Sequence, residues 1–243
     1  MADCFGRNPV LEALEQGRSI NKIWILKDNH HPRIGEIRRL AKAQGIQLVE
    51  VDKSFFNKRY ASSNHQGVAA SLAEHSYSQW QDVLAEVRQN GQTPRFILLD
   101  GIEDPHNLGA IIRSAAAFGI HCVIIPDRRA ASLTEGTAKS AAGALAHVPV
   151  ARVGNTVQAI EALKQEGFWI IGTEMNGISL SKATIPSPWV LIIGSEGKGM
   201  RPLVRKHCDM TLSIPMIGGV GSLNASVAAG ILLYALTEKE EQS

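Results

Sequence analysis

Five short apolar runs, at residues 96–99, 123–125, 169–172, 190–193 and 212–214, punctuate the second part of the chain. Several are apolar at consecutive positions, which suits strands covered on both faces rather than strands half in water. Helical spacing of apolar residues recurs between and after them, near 108–118, 157–165 and 223–236, the last with Leu223, Val227, Ile231 and Tyr234 on one side. Alternating strand and helix builds a mostly parallel sheet with helices on its faces, so the fold class is α/β. Ligands of such sheets collect beyond the carboxyl ends of the strands, in the loops that follow them.

The first part of the chain alternates too, on a smaller scale. Asn8 before Pro9 predicts a capped helix ended by Gly17, followed by a strand at 23–26. Ile34, Ile37, Leu40 and Ala41 predict a second helix, stopped by Gly45 before a strand at 46–51. Phe55 and Phe56 lead into a basic, polar loop that runs from Lys58 and Arg59 through Ser62, Ser63, Asn64, His65 and Gln66 to a last apolar segment at 68–72. Residues 1–73 are thus expected to form a small α/β unit. Glu74, His75, Ser76, Ser78 and Gln79 then look like a linker, placed at 74–93 with a short helix inside it, and the larger unit takes 94–243.

The chain's 243 residues suffice for one large domain or two unequal ones, and 44% hydrophobic with 20% charged residues excludes wholesale disorder. The longest uncharged stretch near the C-terminus, 210–237, is interrupted by Pro215, Asn224 and repeated Gly and Ser, and its more apolar end, 222–237, falls short of the ~20 predominantly apolar residues of a bilayer span, so no transmembrane segment is expected. The start of the chain lacks a basic region followed by an apolar run, so no signal peptide is expected and the compartment reads as the cytosol. Cys4, Cys122 and Cys208 are odd in number and far apart, which indicates neither a disulfide scaffold nor a metal site; Cys122 reads as a small buried residue. Charge is uneven: residues 1–73 hold 11 Lys+Arg against 7 Asp+Glu, while the remainder holds 14 against 16. A polyanion-binding module joined to a less charged partner has this asymmetry, as do many solvated faces.

Three loops carry unusual residues. In the first, Asp104 before Pro105 reads as the cap of a helix that holds Asn107 and Arg113 among Ala and Ile; Asn107 either caps the turn or serves a site, and Arg113 either reaches solvent or a ligand. The second, Gly194-Ser-Glu196-Gly-Lys-Gly199, is either a tight turn or a backbone cradle. It is not a P-loop, because Lys198 is followed by Gly199, and it lacks the dinucleotide fingerprint. The third runs from Ile214 and Met216 through a glycine-rich stretch to Ser222, Leu223 and Asn224; Ser222 is expected to cap the last helix, with Asn224 in its first turn, where free amides hold an anion or oxyanion. No nucleophile elbow or zinc-protease motif is present. A glycine-rich pocket without phosphate-loop residues suits a cofactor with an adenosine and no phosphate.

In order and spacing, DGIEDPHNLGAIIRSAAAFG, LIIGSEGKGM and LSIPMIGGVGSLNASVAAGI resemble the three motifs of the SpoU (TrmH-like) family of RNA ribose 2′-O-methyltransferases, of the SPOUT superfamily. The segment from GRNPVLEAL to HQGVAA is similar to that family's ribosomal-protein-L30-like substrate-binding domain. The resemblance implies a C-terminal α/β trefoil-knot methyltransferase domain, S-adenosylmethionine as methyl donor, and an obligate homodimer with its site at the interface. By motif position it implies Asn107, Arg113, Glu196, Ser222 and Asn224 as catalytic residues. Thr173, Gly194, Ile214, Met216 and Leu223 are implied around the cofactor, and Arg7, Lys58, Arg59, Asn64, His65 and Gln66 on RNA. Both parts together are most similar to family members that methylate a guanosine ribose in the peptidyl-transferase loop of 23S rRNA, which makes 23S rRNA or the assembling large ribosomal subunit the expected partner, with no membrane and no metal. The rivals are the same transfer to tRNA or another rRNA nucleotide, a non-catalytic RNA-binding protein of ribosome assembly, and a dinucleotide oxidoreductase, which the absent fingerprint disfavours. Arginine stays protonated in proteins, so Arg113 is expected to stabilise a developing alkoxide and clamp the adjacent phosphate rather than act as base, while Asn107, Ser222 and Asn224 orient the ribose and Glu196 positions a loop or the partner's arginine.

Overall fold

The computed structural model describes residues 3–61, 64–73, 76–219 and 221–241; Ser62, Ser63, Glu74, His75 and Val220 of the segments above lie outside the described residues. Chain contacts divide it into two units, Met1–Ser76 with Ser132–Glu135, and Tyr77–Ala131 with Gly136–Ser243.

The first unit contains β1 (Asp3–Phe5), α1 (Arg7–Glu15), β2 (Ile20–Leu26), α2 (Pro32–Ala43), β3 (Gln47–Val51), α3 (Lys53–Arg59) and β4 (Val68–Leu72). Its sheet has the order β1-β4-β2-β3, with β2 and β3 parallel and the other pairs antiparallel. Alternate residues of β2 serve opposite faces. Ile23 and Ile25 pack with Val10, Leu14, Ile34 and Ile37 of α1 and α2, whereas Trp24 and Leu26 pack with Phe56 of α3 and Tyr60. Two local expectations are corrected. Gly6, at φ +92, precedes α1 and Asn8 lies inside its first turn, because β1 ends only one residue earlier and the chain must reverse on glycine. Lys58 and Arg59 are in the last turn of α3, not in a loop; Phe56 gives that segment a buried anchor.

The second unit contains α4 (Trp80–Gln89), β5 (Arg95–Asp100), α5 (Pro105–Ala117), β6 (Cys122–Pro126), α6 (Glu135–Ala141), a 3-10 turn (Ala144–Ala146), β7 (Val150–Val153), α7 (Thr156–Gln165), β8 (Trp169–Ser179), β9 (Trp189–Gly194), α8 (Pro202–Lys206), β10 (Met210–Ser213) and α9 (Ala225–Glu241). All strand pairs of its sheet, ordered β10-β8-β9-β5-β6-β7, are parallel. α4 falls in the stretch read as a linker, yet Trp80, Val83, Leu84 and Val87 are buried in this unit's core. Burial pushes the thiols of Cys122 and Cys208 up to about 12 and about 11, so neither is a ready nucleophile at neutral pH.

α9 departs from the expected amphipathic picture. Ala225, Ala229, Leu232, Leu233 and Leu236 are its buried side, while Val227, Ile231 and Tyr234 stay 50%, 39% and 55% exposed. The helix is apolar nearly all round, so apolar spacing alone does not select the face that packs on its neighbour α5. Among the described residues no helix is long and apolar enough to cross a membrane, and no cluster of three or more His, Cys, Asp or Glu is placed to hold a metal ion.

From β5 the chain steps to β6 and β7 on one side, and then to β8, β9 and β10 on the other, so the direction of winding reverses between β5 and β9. The loops leaving Asp100 and Gly194 line one crevice at that point, the place where open parallel sheets bind ligands.

Candidate active site

Two helix N-termini meet at this crevice. Asp104 accepts from the backbone amides of His106 (3.1 Å) and Asn107 (3.3 Å) and Pro105 opens α5, which sets Asn107 in the first turn. The cap of α9 is Asn224 rather than the expected Ser222. Its Oδ1 accepts from the amides of Ser226 (2.9 Å) and Val227 (3.4 Å) and from the Ser226 hydroxyl (2.6 Å). Ser222 stays exposed in the loop, two residues short of the cap position.

These contacts orient both amides. With Oδ1 spent on the helix, Asn224 presents Nδ2, which donates to Asn107 Oδ1 at 3.0 Å across 117 residues of sequence. Asn107 Nδ2 therefore keeps its donors for something else. The positive ends of two helix dipoles and a free amide donor favour an oxygen that carries or develops negative charge.

The loop after β9 forms the opposite wall. Ser195 and Gly199 exchange backbone hydrogen bonds of 3.0 and 2.8 Å, Gly197 and Gly199 occupy the left-handed region at φ +75 and +67, and Glu196 is exposed on this turn. At Gly194 the constraint is space: a Cβ there would stand 2.3 Å from Gly199 C and Met200 N, both backbone atoms. Gly194→Ala is expected to cost about 1–3 kcal/mol by overpacking. In calorimetry that is a melting temperature lower by roughly 3–10 °C, and an unshifted transition would contradict the close approach.

Behind this loop lies a cavity of about 400 Å³, lined by all five residues expected around the cofactor, Thr173, Gly194, Ile214, Met216 and Leu223, and also by Glu196 and Ser222. Ile193, Leu212 and Leu232 make its floor apolar. Thr173 Oγ1 donates to the Ile192 carbonyl at 3.0 Å, so its hydroxyl hydrogen is already used. In front of the loop lies a second cavity of about 520 Å³ that includes Asn107 and again Glu196. Arg113 joins neither cavity: it is exposed on α5 and has no hydrogen bond or ion pair among the described residues.

In the first unit, Gln66 Oε1 accepts from Arg7 N (3.3 Å) and Nε (3.2 Å). The Arg59 guanidinium lies 5.0 Å over the Trp24 ring and 5.6 Å over Tyr60. His65 has an internal task, stacked on Phe56 at 4.4 Å with Nδ1 accepting from Gly67 N. Lys58 and Asn64 are exposed.

The profile described as "SpoU rRNA Methylase family" matches residues 94–234, more than half of the chain, and "RNA 2'-O ribose methyltransferase substrate binding" matches 4–78. The chain belongs to the SpoU methylase family. An uncharacterized tRNA/rRNA methyltransferase of Synechocystis sp. is 44% identical over 96% of this chain, which spans 61% of that protein's length. A Bacillus subtilis protein assigned by name to the TrmH family of tRNA/rRNA methyltransferases is 40% identical over 96% of this chain and 94% of its own. The AdoMet-bound rRNA methyltransferase of Sinorhizobium meliloti superposes with a TM-score of 0.61 at 25% identity, covering 97% of this chain and 86% of that one.

Two anchors of this SpoU methylase's site escaped sequence reasoning. Asp100, buried at the end of β5, accepts from Arg201 N (2.7 Å) and Nε (2.6 Å), and a second guanidinium nitrogen of Arg201 donates to Thr156 Oγ1 (2.7 Å). A lone acid ending an apolar strand was the available signal, since a buried carboxylate needs a partner. The other anchor is Glu174, which lies where the β8–β10 register jumps from Gly172 to Ile178. It accepts from Arg205 and from Thr211 Oγ1 (2.6 Å), and the Arg205 guanidinium holds its carboxyl below the usual range. Nothing in the local sequence marks it.

Proposed function

We propose that this protein is an S-adenosylmethionine-dependent RNA ribose 2′-O-methyltransferase that acts as a cytoplasmic homodimer on a guanosine in the peptidyl-transferase loop of 23S rRNA, free or in the assembling large subunit. The observation that carries this reading is the Asn107–Asn224 hydrogen bond, which joins the first and third motifs beside a loop supplied by the second.

The apolar cavity fits the cofactor. Its volume lies within the roughly 300–1,000 Å³ of small-molecule sites, and glycine at 194 lets loop backbone close over it without a side chain. Gly194, Ile214 and Leu223 would hold it largely by main-chain groups, with Thr173 and Met216 beside them. When bound, S-adenosylmethionine supplies a methyl group on a positively charged sulfur. Asn107 Nδ2 donates to the ribose and Asn224 holds Asn107 in that orientation, with Ser222 at the loop edge. Arg113 stabilises the alkoxide as it develops and clamps the neighbouring phosphate with its planar fork. The proton leaves through water or phosphate, since no arginine takes it. Glu196 positions its loop or the arginine opposite.

A homodimer is supported by two features. Val227, Ile231 and Tyr234 form an exposed apolar stripe at helical spacing on α9. Arg113 lies on the adjoining α5, exposed and outside both cavities of its own chain, and in the homodimer we assign it to the partner's site. We assign the trefoil knot to the C-terminal segments, which carry the second and third motifs. Arg7, Lys58, Arg59, Asn64, His65 and Gln66 of the first unit are assigned to RNA, with His65 shaping the loop.

The test is transfer from labelled S-adenosylmethionine to 23S rRNA, 16S rRNA and tRNA from cells lacking the protein, followed by nucleotide-level mapping. One new 2′-O-methylguanosine in the peptidyl-transferase loop is the expected result. Label in tRNA would keep the reaction and overturn the substrate, and absence of transfer to these RNAs and to large-subunit precursors would overturn both.

A further inference from the structure

The cavity in front of the Ser195–Gly199 turn differs in chemistry from the apolar one behind it. It is lined by charged side chains of both signs, four basic and four acidic, but only part of that charge is used internally. Asp100 is spent on Arg201, and Asp104 on the first turn of α5. Arg128 and Arg129, on the loop after β6, and Glu103, on the loop after β5, have no hydrogen bond or ion pair among the described residues, although Arg128 contributes with Arg152 to the field at Asp127. The two loops are tied together, with the Ala131 amide donating to the Ile102 carbonyl at 2.7 Å, yet their opposite charges do not meet. Groups that line one cavity and stay unpaired are free for an external partner: a guanidinium pair for a phosphate, a carboxylate for hydrogen-bond donors. Arg129 is also held in the left-handed region at φ +56, a conformation that costs a non-glycine residue about 1–3 kcal/mol and recurs at ligand sites.

A ligand that answers both features carries an anion and an edge of donors. Among RNA nucleotides only guanosine presents two adjacent donors, N1–H and the N2 amino group, to one carboxylate. Adenine and cytosine place an acceptor beside their amino group, and the single N–H of uracil is flanked by carbonyls. Asn107 lines the same cavity, so a nucleotide there lies beside the free amide. We infer that this cavity is the subsite for the target guanosine, with Arg128 and Arg129 holding a phosphate of the RNA strand and Glu103 selecting the guanine edge. The inference rests on the ribose-methyltransferase reading above and adds to it the residues that choose the base.

The experiment uses the full-length protein and a hairpin of the 23S rRNA peptidyl-transferase loop, made with guanosine or with inosine, which lacks the N2 amino group, at the methylated position. The wild type is expected to prefer guanosine by about tenfold or more in kcat/KM, as sites that hydrogen-bond a substrate group reject analogues without it. Glu103→Gln, which keeps size and exchanges one acceptor for a donor, should shrink that preference below about threefold. Arg128→Ala/Arg129→Ala should raise KM for the hairpin about tenfold and lower the slope of log affinity against log salt by about 1 to 1.5, with affinity for S-adenosylmethionine retained. The paired lysine variant, which keeps charge and loses the fork, should fall between. An unchanged inosine preference in Glu103→Gln, or unchanged KM and salt slope in the arginine variants, overturns the subsite while leaving the methyltransferase reading intact. A wild type that methylates no guanosine in any RNA overturns that reading and the subsite with it.

Discussion

Co-expressing two inactive variants, Arg113→Ala and Asn107→Ala, is expected to restore about a quarter of wild-type methyl transfer. Each variant alone should lose about 10²- to 10³-fold, the usual consequence of removing one donor that faces developing negative charge. The recovery follows from the proposed homodimer together with where the two side chains lie. Asn107 is fixed by Asn224 of its own chain at 3.0 Å, whereas Arg113 is exposed and outside both cavities. If each site combines Asn107 of one chain with Arg113 of the other, a mixed dimer has one site with both residues intact and one with neither. Random pairing makes about half of the dimers mixed, and half of their sites are whole. No recovery in purified mixed dimers would assign Arg113 to its own chain's site and remove the main support for catalysis across an interface. Asn107→Ala removes the acceptor of Asn224 Nδ2 but leaves Asn224 Oδ1 on the amides of Ser226 and Val227, and both substituted positions are at least partly exposed, so folding should survive for the comparison.

The three motifs were legible because their residues conflict with their surroundings. Asn107 and Arg113 interrupt an Ala/Ile helix, and glycines cluster after strands whose other residues are bulky and apolar. The same logic located five strands of the parallel sheet, but β7 was missed because Arg152 interrupts its apolar pattern; in the fold that guanidinium lies 4.4 Å from the Tyr77 ring centre. The last helix cap was misassigned because Ser222 and Asn224 are both good caps, two residues apart, and only the amides of Ser226 and Val227 decide between them. The packed face of α9 was illegible for a related reason: apolar residues cover most of its circumference, so contact with α5 makes the choice. Pairs such as Asp100 and Arg201, 101 residues apart, are set by topology and leave no local pattern.

Asp100→Ala is expected to be among the most destabilising single changes at this site, by roughly 3 kcal/mol. The carboxylate has no exposed side-chain surface, while Arg201 is 47% exposed, so water relieves the arginine after the pair is broken but does not restore the lost anchor. That places the cost at the lower end of the range for breaking a buried pair, and the melting temperature should fall by roughly 6–12 °C. The functional consequence comes through the chain between the two residues' ends: Arg201 directly follows the loop that walls both cavities, and Asp100 is what fixes it to the end of β5. Affinity for S-adenosylmethionine and for the RNA hairpin should therefore fall together. Asp100→Asn keeps an acceptor for the Arg201 amide and should lose about half as much stability. Arg201→Ala leaves a buried carboxylate without its guanidinium, and the double variant should be more stable than the sum of the two single losses predicts, with a coupling of about 1–3 kcal/mol. Calorimetry of the four proteins with equilibrium dialysis of labelled cofactor measures both effects; strictly additive losses, or cofactor affinity untouched by Asp100→Ala, would show that the pair does not hold the loop.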